Sequence, residues 1–265
     1  MTVKDVREIS FYLLDMDGTI YLGERLIDGA ADFLQTLRDQ GKRYVFLTNN
    51  SSKNRHTYRE KLERMGVSVT PDDIFTSGEA TALYLKKKSP GAKIFLLGTS
   101  MLAEDFTGAG FTTVEKKEPD YVVLGFDTTL TYDKLWRACD YIREGVSFIA
   151  THPDLNCPLG EGKYMPDAGA IIKFIEASTG KSPLVIGKPN RYMVDCACEK
   201  YGADRDKMAI TGDRLYTDIR LGANAQITSI LVFSGETNPK DYRCAPDQAT
   251  FVYPSVKELK EALSD

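Results

Sequence analysis

The sequence predicts an α/β fold, a doubly wound parallel sheet with a second α/β domain inserted into it. Short apolar runs alternate with amphipathic stretches along almost the whole chain, which is typical of parallel strands joined by crossover helices. Four of these runs end directly in polar residues, and in an open α/β sheet the chemistry lies beyond the carboxyl ends of the strands. A middle segment has strands and helices of its own, which indicates an insertion.

The first part of the chain predicts two strand–helix units. These are a strand at 9–14, a helix at 28–40, a strand at 44–47 and a helix at 54–65. The first strand ends at Asp15 and the second runs into Thr48. Gly41 and Gly66 follow the two helices and favour their ends there.

The same pattern recurs late in the chain, where apolar runs lead into Lys188 and Asp213. The elements predicted there are a strand at 184–186, a helix at 191–201, and strands at 208–211 and 227–233. The middle segment has predicted strands at 93–97, 121–124 and 148–150. We therefore predict a discontinuous core domain made of residues 1–78 and 182–265, with 79–181 as the inserted domain.

Composition excludes several classes of partner. The 265 residues carry 34 Lys and Arg against 38 Asp and Glu, a net charge of −4, so no global basic field attracts nucleic acid or an anionic membrane. The five cysteines are an odd number and form no CxxC pair, which favours a reducing compartment. The first 17 residues have only one short apolar run, and we expect neither a signal peptide nor an anchor. These observations predict a cytoplasmic protein.

The segment Asp15-Met16-Asp17-Gly18-Thr19 is the first candidate site. Two carboxylates at the end of an apolar strand, with a glycine for the turn, suit a divalent cation and a phosphate. An Asx-type turn is the simpler alternative. An EF-hand is excluded because Leu26 stands where its loop requires Glu. A P-loop ending at residues 180–182 is excluded too, because Ile175 stands where the leading glycine belongs.

Four motifs follow one another along the chain: LDMDGT at 14–19, LTNNS at 47–51, GKP at 187–189 and TGDRLYTDI at 211–219. In this order they resemble the haloacid dehalogenase superfamily. The residues of these motifs are similar to those of the NagD / 4-nitrophenyl phosphatase branch. One motif alone would be weak, but the ordered set spans nearly the whole chain.

The resemblance implies a role for each residue. Asp15 is the expected nucleophile and Asp17 the expected general acid and base. A Mg²⁺ ion is implied, with ligands from Asp15, Asp17, Asp213 and, directly or through water, Asp218. The residues implied in phosphate or substrate binding are Thr48, Asn49, Asn50, Lys188, Arg214, Thr217 and His152.

Each of these residues also has a simpler interpretation. Thr48 and the residues after it could cap the following helix, Lys188 could be a solvated lysine, and Asp213 a turn residue. Asp218 could be an acid on a helix surface, and His152 a packing or surface histidine.

Together the motifs predict a Mg²⁺-dependent phosphatase that hydrolyses phosphomonoesters of small metabolites, of nucleotide or sugar phosphate type, through an aspartyl phosphate. A phospho-acceptor signalling module and a dehalogenase are the alternatives on the same fold. A stable aspartyl phosphate without turnover would favour the first, and chelator-insensitive activity the second. The expected partner is a small phosphorylated metabolite, and the resemblance also implies a homodimer contact in the inserted cap domain.

Overall fold

A computed structural model describes residues 3–115, 118–160 and 162–264. Its strands are β1 Phe11–Leu14, β2 Tyr21–Leu22, β3 Arg25–Leu26, β4 Arg43–Thr48, β5 Ile74–Thr76, β6 Lys93–Leu97, β7 Thr112–Thr113, β8 Tyr121–Leu124, β9 Ser147–Ala150, β10 Asn156–Gly160, β11 Lys163–Pro166, β12 Leu184–Val185, β13 Met208–Gly212, β14 Thr228–Val232 and β15 Phe251–Tyr253. Its α-helices are α1 Ala30–Asp39, α2 Arg55–Arg64, α3 Ser77–Lys88, α4 Ser100–Gly108, α5 Tyr132–Arg143, α6 Ala168–Thr179, α7 Tyr192–Tyr201, α8 Arg220–Ala225, α9 Pro239–Arg243 and α10 Val256–Ser264.

The chain divides into two compact units. The first unit consists of Met1–Thr48, Arg55–Phe75 and Lys188–Asp265, and the second of Asn49–Asn54 and Thr76–Gly187. Both are built from parallel strands and helices, which confirms the predicted α/β fold class.

The first unit contains a six-stranded sheet in the order β15-β14-β13-β1-β4-β5. The pairs from β15 to β4 are parallel. All four residues of β1 are buried, as expected for a central strand covered on both faces. Phe33, Leu34 and Leu37 of α1 pack into the same apolar cluster as Leu259 of α10. The sheet order brings the carboxyl ends of β1, β4 and β13 side by side.

The second unit contains a five-stranded sheet in the order β12-β9-β8-β6-β7, and all of its pairs are parallel. The apolar residues of its strands pack with Leu135, Ala138 and Ile142 of α5 and with Ile172 and Ile175 of α6. A separate two-stranded antiparallel hairpin, β10–β11, lies in the same unit.

The boundary between the units differs from the sequence prediction. Residues 184–186 were expected to lead into the core sheet, but Leu184 and Val185 pair with Ile149 and Ala150 of the second sheet. A two-residue apolar strand carries no information about which of two sheets will accept it, because pairing is decided by tertiary contacts. The second unit therefore continues to Gly187, and the first resumes at Lys188.

None of the helices in the described part of the chain has the length and the apolar character that crossing a membrane requires.

Candidate active site

The carboxyl end of β1 carries the first two candidate residues. Asp15 follows Leu14, and its peptide N–H donates to the carbonyl of Thr211 at 2.9 Å, which continues the β1–β13 pairing by one residue. The chain then turns, with the N–H of Gly18 donating to the carbonyl of Tyr21 at 2.8 Å. The carboxyl end of a buried central strand thus holds Asp15 in a fixed position.

Lys188 joins this strand end to the loop after β13. Its Nζ donates to Asp15 Oδ1 and, at 2.7 Å, to Asp218 Oδ1. The side chain is only 4% exposed, so the interpretation as a solvated lysine is wrong. Burial alone would lower the pKa of Lys188, but the carboxylates of Asp15 and Asp218 raise it above its ordinary value. The ammonium group therefore stays charged.

Asp213 occupies the carboxyl end of β13 and is held by the loop that follows β14. Its Oδ2 accepts from the N–H of Glu236 at 2.7 Å. Gly18 and Gly235 allow this approach, because a Cβ on either would lie within 2.4 Å of Asp213 Oδ2. Asp213 is 2% exposed, so it is part of the site and not an exposed turn residue.

Three carboxylates converge here. Asp15, Asp213 and Asp218 each offer an oxygen within 4.8 Å of the others. Burial raises the pKa of Asp15 to about 6 although Lys188 opposes this effect. Burial, with the charges of Asp15 and Asp218, raises the pKa of Asp213 to about 8. When all three are ionised, these carboxylates carry more negative charge than the ammonium group of Lys188 neutralises.

The donor set fits a divalent cation. Asp213 Oδ1 and Asp17 Oδ1 are buried and have no hydrogen-bond partner among the residues that the structure describes. A buried carboxylate oxygen without a donor is costly, and a cation would satisfy it. Carboxylate and carbonyl oxygens are the ligands that Mg²⁺ prefers. The residues at the site therefore suit the predicted ion.

The remaining predicted residues of the first unit lie at the same sheet edge. Thr48 is the last residue of β4, which pairs with β1. The Arg214 N–H donates to Asp218 Oδ2 at 3.2 Å, and Arg214 Nε lies 3.1 Å from Glu236 Oε2. Thr217 is 2% exposed within the π-helical turn Leu215–Ile219, and its contact with substrate stays a prediction.

Asn49, Asn50 and His152 belong to the second unit. Asn49 is buried, and its Nδ2 donates to both carboxylate oxygens of Asp154, at 3.1 and 3.2 Å. His152 is wholly buried, with Nε2 2.9 Å from Asp167 Oδ1 and Nδ1 2.9 Å from Thr151 Oγ1. The role of His152 in substrate binding stays a prediction.

The sequence analysis missed the loop Ser234–Thr237. Its peptide N–H groups hold Asp213, with Thr237 donating to the Asp213 carbonyl at 3.2 Å, and Ser234 Oγ donates to the Gly18 carbonyl at 2.7 Å. The signal was present, because this loop follows an apolar strand as the other site loops do. Its carboxylate, Glu236, comes three residues after the predicted strand end at 233 and not directly at it, and this hid the role of the loop in positioning Asp213.

Comparison with known proteins gives the family. A family model described as haloacid dehalogenase-like hydrolase matches residues 12–112, and one described as HAD-hydrolase-like matches residues 185–259. An acid sugar phosphatase of Staphylococcus aureus is 37% identical over 260 residues, which cover 98% of this chain and 99% of the relative.

Two crystal structures have the same fold. A 4-nitrophenylphosphatase from Thermotoga maritima has a TM-score of 0.94 and 49% identity, with 97% of this chain and 98% of that chain covered. A glycerol phosphate phosphatase from Mycobacterium tuberculosis, in complex with magnesium, has a TM-score of 0.90 and 28% identity, with 97% and 78% covered. With these matches and the four motifs, the chain belongs to the haloacid dehalogenase-like hydrolases, as a phosphomonoester hydrolase of their NagD-like branch.

Proposed function

We propose that this enzyme hydrolyses phosphomonoesters of small metabolites, of sugar or nucleotide phosphate type, with Mg²⁺ and through an aspartyl phosphate on Asp15. The observation that carries the proposal is the convergence of Asp15, Lys188, Asp213 and Asp218 at one edge of the first sheet. The names of the relatives, which include acid sugar phosphatase and glycerol phosphate phosphatase, support the substrate class.

In the first step a carboxylate oxygen of Asp15 attacks phosphorus, and the bond from phosphorus to the ester oxygen breaks. Asp17 gives its proton to the departing alkoxide. In the second step Asp17 takes a proton from water as the water oxygen attacks phosphorus, and the bond to Asp15 breaks to release phosphate. Two displacements of moderate difficulty replace one that is very slow.

Asp15 and Asp17 need opposite protonation states for the first step. Two like charges about 4 Å apart repel by about 4 kcal/mol at an effective dielectric constant near 20. Such repulsion between neighbouring carboxylates keeps a proton on one of them. Lys188 hydrogen-bonds Asp15, which favours the ionised form of Asp15 that the attack on phosphorus requires.

The other residues bind and orient the phosphoryl group. A Mg²⁺ ion held by Asp15, the Asp17 carbonyl and Asp213, with Asp218 beside it, would polarise a phosphoryl oxygen. The positive charges of Lys188 and Arg214 stabilise the negative charge that develops on the equatorial phosphoryl oxygens in the transition state. We assign further phosphoryl contacts to Thr48 and to the peptide N–H groups of Asn49 and Asn50, which follow it in the chain.

The test is Asp15→Asn, with Asp32→Asn, an exposed acid on α1, as the matched control. We expect Asp15→Asn to lower kcat on 4-nitrophenyl phosphate by at least about 10³-fold, because the nucleophile and a metal ligand are lost together. Circular dichroism should show that both variants fold, and the control should keep wild-type activity. Wild-type enzyme quenched in acid during turnover should carry phosphate on Asp15.

Two outcomes would contradict this proposal. An aspartyl phosphate that persists without turnover would indicate the signalling alternative. Activity that a chelator leaves unchanged would favour the dehalogenase alternative. A panel of phosphorylated metabolites, compared by kcat/KM, would then identify the substrate.

We also propose a cytoplasmic location, which the five free cysteines support, and a homodimer contact on the second unit. Tyr132, Trp136 and Phe174 of α5 and α6 are 76%, 60% and 49% exposed, and such aromatic exposure is typical of a protein contact. The molar mass from sedimentation equilibrium checks the dimer.

A further inference from the structure

A continuous chain of buried hydrogen bonds crosses the second unit and includes His152. Ser51, Thr151 and His152 are all 0% exposed, and Asp167 is 3% exposed. The Phe126 N–H donates to Ser51 Oγ at 2.9 Å, and Ser51 Oγ lies 2.9 Å from Thr151 Oγ1. The contacts of Thr151 and Asp167 with the two ring nitrogens of His152 complete the chain.

The acceptor Asp167 at one end of the chain gives the hydrogen bonds one direction. Asp167 also accepts from the N–H of Ala168 at 2.6 Å, so it acts as an acceptor and His152 Nε2–H donates to it. When the ring is neutral, Nδ1 is then an acceptor. Thr151 then donates its hydroxyl hydrogen to Nδ1, so it accepts from Ser51 Oγ, and Ser51 Oγ in turn accepts from the Phe126 N–H. Every member has a defined role, which favours a single arrangement of this segment.

Further contacts in the second unit hold the residues that follow Thr48. Ser77 Oγ donates to the carbonyl oxygen of Asn49, and Ser77 Oγ lies 3.5 Å from His152 Nδ1. A Cβ on Gly187 would lie 2.4 Å from the Thr151 carbonyl oxygen and 2.7 Å from Asn49 Oδ1. Asn49 and Ser51 are thus fixed on both sides by groups from residues 77 and 151–154.

We infer that His152 is a positioning residue, which fixes the peptide N–H groups of Asn49 and Asn50 through Thr151, Ser51 and Ser77. The inference rests on the proposed role of those N–H groups in binding phosphoryl oxygens. On this inference His152 affects binding of the phosphoryl group, which all substrates share. It does not affect binding of the alcohol, by which substrates differ.

The experiment compares Thr151→Val with Thr151→Ser, which remove and keep the hydroxyl group, alongside His152→Leu. The readouts are the Ki of inorganic phosphate as a competitive inhibitor, and KM and kcat for esters with different alcohols. We expect Thr151→Val and His152→Leu to raise Ki and every KM by the same factor, roughly three- to tenfold, the loss expected for one buried hydrogen bond. Binding lost equally in ground and transition states leaves kcat within about twofold. Thr151→Ser should resemble the wild type.

Thr131→Ala controls for lost stability alone. Thr131 caps α5 in the same unit by accepting from the Lys134 N–H at 3.3 Å, and its loss should lower Tm without changing Ki. An altered ranking of esters at an unchanged Ki would overturn the inference and make His152 a contact of the leaving group. A lower Tm with Ki and KM unchanged would also overturn it. A wild-type enzyme that neither hydrolyses esters nor binds phosphate would instead overturn the proposed function, and this inference with it.

Discussion

At the scale of single residues, the charges around Lys188 determine what the site can bind. One ammonium group contacts Asp15 and Asp218, while Asp213 lies within 4.8 Å of both. Burial would lower the pKa of Arg214, but nearby carboxylates, Asp15 first, raise it. The carboxylates would attract a divalent cation, and the positive charges of Lys188 and Arg214 would then help the site to accept a phosphate dianion.

The variant Asp17→Asn tests the assignment of the proton donor. A good leaving group such as 4-nitrophenolate departs with little protonation, whereas an alkoxide requires a proton. We expect kcat/KM to fall by about 10²- to 10⁴-fold for alkyl phosphates, and by clearly less for aryl phosphates of low leaving-group pKa. A Brønsted plot over a series of esters measures this. Equal losses across the series would contradict the acid role of Asp17.

At the scale of elements, turns and strand ends position the functional groups. Gly18 has a φ of +85° and Gly23 a φ of +62°, so a side chain at either position is strained. Only at Gly18 would a Cβ collide with Asp213, whereas nothing lies within 4 Å at Gly23. Gly235 shows the converse, because a Cβ there would lie 2.0 Å from Asp213 Oδ2 without a positive φ. Substitutions at these three glycines can therefore distinguish the effect of backbone strain from the effect of displacing Asp213.

Replacing each glycine by alanine should therefore give three different results. Gly23→Ala should destabilise the fold by roughly 1–2 kcal/mol and leave the Mg²⁺ dependence of activity unchanged. Gly235→Ala should weaken Mg²⁺ activation at least about tenfold, because Asp213 must move, and Gly18→Ala should show both effects. Urea unfolding and Mg²⁺ titrations of activity measure the two quantities. An unchanged Mg²⁺ dependence in Gly235→Ala would remove Asp213 from the metal site.

Elements whose signals are local could be predicted from the sequence, and pairings at long range could not. The strand before Asp15 and helix α1 were predicted because apolar runs, helical spacing and a terminal glycine all lie within a few residues. The assignment of Leu184–Val185 to a sheet was wrong because its partner is 35 residues away in sequence. Ser51 and Thr151 are 100 residues apart, and no local pattern indicates that the segment after Thr48 belongs to the second unit.

At the scale of the whole molecule, stability should depend on pH through the buried carboxylates. The pKa values of Asp15, about 6, and Asp213, about 8, lie above the ordinary 3.8. The native metal-free protein therefore binds more protons than the unfolded chain between about pH 4 and pH 8, so its stability falls as pH rises through that window. Mg²⁺ held by these carboxylates would bind their ionised form, so its stabilising effect should grow with pH.

Thermal unfolding at pH 5, 6.5 and 8, with EDTA or with Mg²⁺, measures both effects. We expect the Tm in EDTA to fall from pH 5 to pH 8, and the increase given by Mg²⁺ to be largest at pH 8. Asp213→Asn removes the group with the higher pKa, so its Tm in EDTA should change less with pH. A variant with the wild-type pH dependence would contradict this assignment.

The passage of the chain between its two units limits how the protein can be divided. The polypeptide crosses from one unit to the other after Thr48, Asn54, Phe75 and Gly187. A shortened chain that joins residue 75 directly to residue 188 would retain Asn49–Asn54 but remove Thr151, Phe126 and Asp154, which hold that segment. Grafting residues 76–187 onto a related core would therefore require residues 49–54 to be transferred with them. A domain exchange between relatives must move these two separate stretches of sequence together.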